Sequence, residues 1–204
     1  MSSVPELPDF AHGSADPSSM ADAGAPPVTP ETESLLSRVA VQAVMLRAAT
    51  IDSALDCYTP VYFAQRAREE IARRQRYGHK LSLLLLAPDA PEGEAPPDGS
   101  MRVVVDAAKS ILRTTDLVGR WDLGEIGVLL PSTNLAGATK LARRILDRLR
   151  RRPQPKGSEA PPVLACAGIA TWLGPAEPLG TLIERARGGL SDAKARGGDS
   201  IGLS

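Results

Sequence analysis

The chain has 204 residues, with 24 lysines and arginines against 24 aspartates and glutamates, so its formal net charge is zero. This balance gives no support to general binding of nucleic acid or of an anionic membrane, and an aromatic content of 3% argues against base-stacking platforms. Cys57 and Cys166 have no CxxC spacing and no neighbouring histidine, so we predict buried thiols rather than a metal site or a disulfide. No leader-like segment opens the sequence and no stretch is long enough to span a bilayer, which predicts a cytoplasmic protein.

Residues 1–28 are rich in proline, serine, alanine, glycine and aspartate and contain few large apolar residues. Such a segment cannot bury enough surface to offset the entropy lost on ordering. We therefore predict a disordered N-terminal tail.

A helix is predicted over residues 29–51. Thr29, Pro30 and Glu31 favour a helix start, because they supply a capping hydroxyl, a proline suited to the first helical position and an acid near the positive end of the dipole. Apolar residues then recur at helical spacing: Leu36, Val39, Ala43 and Leu46, with Leu35, Val41 and Val44 beside them. Two interpretations remain open, a helix packed on its own domain and a dimerising helix.

Residues 52–204 alternate between helical and strand patterns, which predicts an α/β domain. The run Leu81–Leu86 is almost continuously apolar, as is typical of a central strand covered on both faces. The predicted helices are Phe63–Tyr77, Met101–Leu112, Asn134–Arg152 and Leu179–Ala195, and the other predicted strands are Leu117–Trp121, Ile126–Leu130, Val163–Thr171 and Ser200–Leu203.

A hairpin at the centre of the domain organises the rest of the chain. Its turn is predicted at Asp122–Glu125, where Gly124 is expected to supply the positive φ that a hairpin bend usually needs. Pro131 is expected to end the second strand because it cannot donate to a ladder. Periodicity alone predicts a core hairpin and nothing more.

The segments around this hairpin resemble the centre of a GGDEF (diguanylate cyclase) domain. They are Arg113-Thr-Thr-Asp116, then Leu-Val-Gly-Arg-Trp, and, after the turn, Gly-Val-Leu-Leu-Pro. The family's Gly-Gly-Asp/Glu-Glu-Phe is replaced here by Asp122, Leu123, Gly124, Glu125 and Ile126, of which only Glu125 matches. From Asp52 to the C-terminus the chain is thus similar to a degenerate GGDEF domain. The resemblance implies a nucleotidyl-cyclase-like central mixed β-sheet flanked by helices, a leading signalling helix and bacterial second-messenger signalling.

The resemblance also identifies the positions where a cyclase would hold magnesium. Two carboxylates would bind the two Mg²⁺ ions that clamp the triphosphate and activate the attacking hydroxyl. The corresponding residues are Ala87 and Gly124, whose side chains carry no oxygen, and the family's substrate loop is not found in residues 90–100. We therefore predict that the chain is not an enzyme and has no catalytic residues, metal or cofactor.

Arg113 and Asp116 match the family's product-binding inhibitory site, and Arg144 matches its second arginine, with Arg143 as an alternate. An arginine fork can address guanine O6 and N7, or a phosphate, and a carboxylate can accept from guanine N–H groups. The resemblance therefore predicts a catalytically inactive receptor for cyclic di-GMP that signals to an unidentified protein partner, and a homodimer through the 29–51 helix. Two alternatives remain: an exposed Arg–Asp pair that merely caps a turn, and a ligand-independent adaptor that uses the fold as a scaffold.

Overall fold

The computed structural model describes residues 30–78, 80–90, 94–153 and 162–204. The predicted tail and the predicted cap Thr29 lie outside the described residues. The helices are α1 (Pro30–Thr50), α2 (Pro60–Tyr77), α3 (Asp98–Lys109), α4 (Leu135–Arg150) and α5 (Leu179–Ala195). The strands are β1 (Ile51–Asp52), β2 (Cys57–Tyr58), β3 (Leu81–Pro88), β4 (Leu117–Asp122), β5 (Glu125–Pro131), β6 (Ala165–Thr171) and β7 (Ile201–Leu203). The chain divides into two compact units, residues 1–41 and 42–204, and every element after α1 belongs to the second.

The strands form one mixed sheet in the order β1-β2-β4-β5-β3-β6-β7. The β2–β4 and β6–β7 pairs are parallel and the remaining pairs are antiparallel. β3 lies inside the sheet between β5 and β6, where Leu84 pairs with Val128 on one side and Ile169 on the other. All eight residues of β3 are buried, which is the environment its apolar run predicts. The predicted α/β class with a central mixed sheet is therefore confirmed.

The two faces of the sheet carry separate apolar cores. Leu84 and Leu86 point into a core formed with α3 and α4. Leu83 and Leu85 point into the opposite core, formed with α2 and α5. Because successive residues of a strand face opposite sides, a run of leucines satisfies both cores at once.

Two helices begin earlier than the sequence predicts. α2 begins at Pro60 because the Thr59 hydroxyl accepts from the Tyr62 N–H and caps the helix, and it ends at Gly78, whose φ is 64°. α3 begins at Asp98 and ends at Lys109, whereas Ile111 and Leu112, which were predicted to be helical, form a turn with backbone hydrogen bonds to Ala108. β1 and β2 have two residues each and were too short to be predicted from periodicity.

α1 exposes its apolar side chains. Those of Leu35, Leu36, Val39, Val41, Val44, Met45 and Leu46 are between 50% and 69% exposed. In the part of the chain that the structure describes, no helix is both long and apolar enough to cross a membrane. The dimerising role of this helix stays a prediction.

Candidate functional site

The central hairpin has a tighter turn than the sequence predicts. β4 and β5 pair as far as Asp122 and Glu125, with an irregularity between Arg120 and Asp122, so only Leu123 and Gly124 form the turn. The predicted positive φ at Gly124 is wrong. Glycine is needed there for a different reason, since a Cβ would lie 2.9 Å from Cδ of Pro96.

Arg120 links the hairpin to β1 and to α3 through ion pairs. Its Nη1 lies 3.3 Å from Oδ2 of Asp52, at the end of β1, and its Nη2 donates to Asp98 at the start of α3. Oδ1 of Asp52 also accepts from the backbone N–H groups of Ala54 and Leu55 at 3.0 Å. Asp52 and Arg120 are both largely buried, so these contacts fix the position of β4 just before the turn.

The hairpin turn forms one wall of a cleft of about 780 Å³. The loop after β3 and the C-terminal end of α5 form the other walls. The charged groups lining the cleft are Asp89, Glu94, Asp122, Glu125 and Lys194.

Two of the carboxylates in this cleft already have close partners. Glu125 binds Arg187 of α5 through two of its donors, with Nη2 to Oε2 at 2.8 Å and Nε to Oε1 at 3.2 Å. That hydrogen bond is the main cause of the raised pKa of Arg187. Asp89 accepts from the backbone N–H of Asp199 at 3.2 Å and from the thiol of Cys166 at 3.3 Å. Burial raises the pKa of Cys166 to about 11, so the thiol stays protonated and can donate.

The two positions that the resemblance assigns to the magnesium ligands carry no side-chain oxygen. Ala87 is fully buried in β3, and Gly124 lies in the turn without a side chain. Across the described ranges, no three acidic, histidine or cysteine groups come together in a way that could hold a metal ion.

Arg113 and Asp116 form a compact turn between α3 and β4. The Arg113 backbone N–H donates to Oδ2 of Asp116 at 2.9 Å, and the Asp116 N–H donates to the Arg113 carbonyl at 3.1 Å. The Arg113 side chain is exposed, and among the described residues its guanidinium has no ion-pair partner. Asp116 therefore caps the turn through the backbone of Arg113 and does not pair with its guanidinium.

The predicted arginines line two different cavities. Arg113 borders a pocket of about 490 Å³ with Lys80, Ser132, Asn134 and Gly137. Arg144 borders a groove of about 720 Å³ between α3 and α4. Gly137 and Arg144 are seven residues apart in α4, which puts them on the same face of the helix and about 10 Å apart.

Sequence reasoning missed four cations at these cavities. Lys80 lines the pocket of Arg113, and Arg148, Arg151 and Arg152 line the groove of Arg144, whereas the alternate Arg143 lines neither cavity. The spacing of Arg144, Arg148 and Arg151 places them on one helix face and could have revealed the row.

The mixed sheet and the hairpin-walled cleft define a nucleotidyl-cyclase-like α/β domain. A family model described as "Diguanylate cyclase, GGDEF domain" matches residues 49–200, or 152 of the 204 residues. The chain therefore belongs to the GGDEF-domain family.

Individual relatives agree with this assignment. Diguanylate cyclase DgcP of Pseudomonas aeruginosa is 28% identical over 144 residues, which are 68% of this chain and 21% of DgcP, so the chain spans about a fifth of that relative. The crystal structure of diguanylate cyclase SiaD in complex with its activator SiaC, also from P. aeruginosa, matches with a TM-score of 0.69 and 28% identity over 85% of this chain and 69% of that one. The coiled coil and GGDEF domain of DgcB from Caulobacter crescentus, solved with cyclic di-GMP, has the same fold, with a TM-score of 0.74, 16% identity and coverage of 85% and 96%.

The comparisons contradict our prediction that the chain is not an enzyme. The family description and the names of DgcP and SiaD are those of diguanylate cyclases, and they point to an enzyme. Our prediction relied on Ala87 and Gly124 and on the absence of the family's substrate loop from the sequence of residues 90–100. The same cleft still contains Asp89, Glu125 and Lys194 on the family's framework.

Proposed function

We propose that the chain is a cyclic di-GMP receptor of the GGDEF family that binds its ligand through Arg113, Asp116 and Arg144. The observation that carries this proposal is the exposed guanidinium of Arg113, which has no ion-pair partner in the described part of the chain and lies on a turn that Asp116 holds in place. A preformed turn lowers the entropy cost of ordering an arginine around a ligand. Family membership and the DgcB complex with cyclic di-GMP support the choice of ligand.

The two side chains of the turn suit a guanine base. The guanidinium offers a planar fork of donors to the adjacent acceptors O6 and N7. Oδ2 of Asp116 is used by the Arg113 backbone, and Oδ1 has no hydrogen-bond partner among the described residues. Oδ1 can therefore accept from the N–H groups of the same base.

The distance between the two arginines fits a ligand larger than one nucleotide. Arg144 lies about two helical turns from the wall of the Arg113 pocket. A single guanine held at Arg113 would leave Arg144 free, whereas the second half of a dinucleotide extends toward it. A titration with cyclic di-GMP, with cyclic di-AMP as the control, tests this function, because adenine lacks the O6 acceptor.

We further propose that α1 is the surface through which the receptor dimerises or contacts its protein partner. SiaD, a relative with a similar fold, was solved with an activator protein, and the DgcB structure includes a coiled coil. The apolar side chains of α1 are exposed, and covering them would stabilise an assembly by about 25 cal/mol per Å² of apolar surface.

Replacing Val39 and Leu46 with glutamate will shift a dimer toward monomer in sedimentation velocity. These side chains are 61% and 67% exposed, so the substitutions remove apolar contact without emptying a core. Ser37→Glu with Gln42→Glu adds the same charge at polar positions of the helix and is the matched control. A wild-type protein that is monomeric at every concentration, or an equal response of both double variants, would contradict the dimerising role of α1.

A further inference from the structure

The groove between α3 and α4 carries a row of arginines. Arg144, Arg148 and Arg151 line it at successive turns of α4 and just beyond its end, and Arg152 lies beside them. Residues four apart on a helix are separated by about 6 Å along the axis and share a face. All four side chains are exposed, and none has an ion-pair partner within the described ranges.

The acids that line the groove are already neutralised. Asp106 binds Nε of Arg102 at 2.9 Å, and Asp147 binds Nη1 of Arg150 at 2.7 Å. Arg150 also donates to Asp199 at 2.6 Å, so it is held away from the row. The unpaired charge in the groove is therefore positive.

The other wall of the groove belongs to α3 and the turn that follows it. It is formed by Asp106 and Ser110 together with Ala107, which is buried, and Ile111, which is half-buried. The cations therefore all lie along the α4 wall, and a row of cations along one wall suits a ligand with phosphates along one edge.

We infer that this groove is the phosphate subsite of the proposed dinucleotide site, with Arg148 and Arg151 as phosphate-binding residues in addition to Arg144. The inference rests on the proposed function and extends it along α4. Arg113 and the arginine row are assigned to different parts of the ligand because they offer different groups. Arg113 presents one guanidinium to guanine from a preformed turn, whereas the row presents several separate positive charges to the phosphates. A phosphate accepts from any well-placed cation, whereas the edge of guanine requires a fork.

Arg148→Ala will lower the affinity of the full chain for cyclic di-GMP about tenfold in calorimetry, or about 1.4 kcal/mol, because it removes one charge-assisted hydrogen bond in an exposed groove. Arg148→Lys will keep most of the affinity, because an ammonium can still bind a phosphate. Arg68→Ala is the matched control: Arg68 is exposed on α2, on the opposite face of the sheet, and has no ion pair in the described part of the chain.

Inorganic pyrophosphate separates this inference from the function on which it rests. Pyrophosphate will compete with cyclic di-GMP for the wild type, and Arg148→Ala will weaken the binding of pyrophosphate. Arg113→Ala, by contrast, will weaken the binding of cyclic di-GMP and leave the binding of pyrophosphate unchanged. Unchanged affinities in Arg148→Ala for both ligands, with Arg113→Ala impaired, would overturn the subsite and leave the receptor function standing. If the wild type bound pyrophosphate but did not bind cyclic di-GMP, the receptor function itself would be contradicted.

Discussion

Replacing Arg113 with alanine will lower the affinity for cyclic di-GMP roughly tenfold to a hundredfold. A bidentate arginine–guanine contact contributes about 1–3 kcal/mol of recognition, and every ~1.4 kcal/mol is a factor of ten in affinity. The side chain is exposed, and the turn is held by the Arg113 backbone rather than by its guanidinium. Calorimetric titration should therefore show weaker binding with an unchanged thermal unfolding curve.

Two companion variants separate recognition from charge. Arg113→Lys keeps the positive charge but loses the planar fork, so it will not restore the affinity. Asp116→Ala will also weaken binding, because it removes both the acceptor for the base and the cap of the Arg113 backbone. Equal affinities in wild type and Arg113→Ala would place the ligand elsewhere on the protein.

Replacing Gly168 with alanine will lower the free energy of unfolding by about 3 kcal/mol, at the upper end of the usual cost of overpacking. Gly168 lies in β6, where α5 crosses the sheet at very close range. A Cβ there would collide with the backbone carbonyl of Ala186 and the backbone N–H of Leu190. Backbone atoms of a packed helix cannot rotate away, so the helix itself would have to move.

Gly188 in α5 is the matched control. It is exposed, and a Cβ built there meets nothing within 4 Å. Gly188→Ala will therefore raise stability by roughly 0.5–1 kcal/mol, the usual gain for such a change in a helix. Urea denaturation of both variants checks the pair, and a loss of stability in Gly188→Ala that equals the loss in Gly168→Ala would refute the packing argument.

Periodicity was sufficient to predict the central elements of the fold. The leucine run predicts β3, because a strand that is buried on both faces needs apolar residues throughout. The helical pattern predicts α5, because a helix that is buried on one face needs apolar residues at helical spacing. The start of α2 was missed because Thr59 acts as a cap through its side chain, which the apolar pattern does not register. The reason for glycine at position 124 was missed because Pro96, whose Cδ would clash with a Cβ at that position, is distant in sequence.

The candidate site was predictable where its chemistry is local in sequence. Arg113 and Asp116 form one turn, so their spacing predicts their proximity. Arg148 was missed as a candidate because its role depends on α3 as the opposite wall of the groove and on the pairing of Asp147 with Arg150. No spacing rule reveals which arginines of a helix are left unpaired after tertiary ion pairs have formed.

The most direct test of the central claim is isothermal titration of the full chain with cyclic di-GMP, followed by the same titration with cyclic di-AMP. A receptor built on Arg113 and Asp116 should bind cyclic di-GMP saturably and cyclic di-AMP at least tenfold more weakly, because one lost bidentate base contact contributes about 1–3 kcal/mol of discrimination. Absence of cyclic di-GMP binding, or equal affinity for the two dinucleotides, would contradict it.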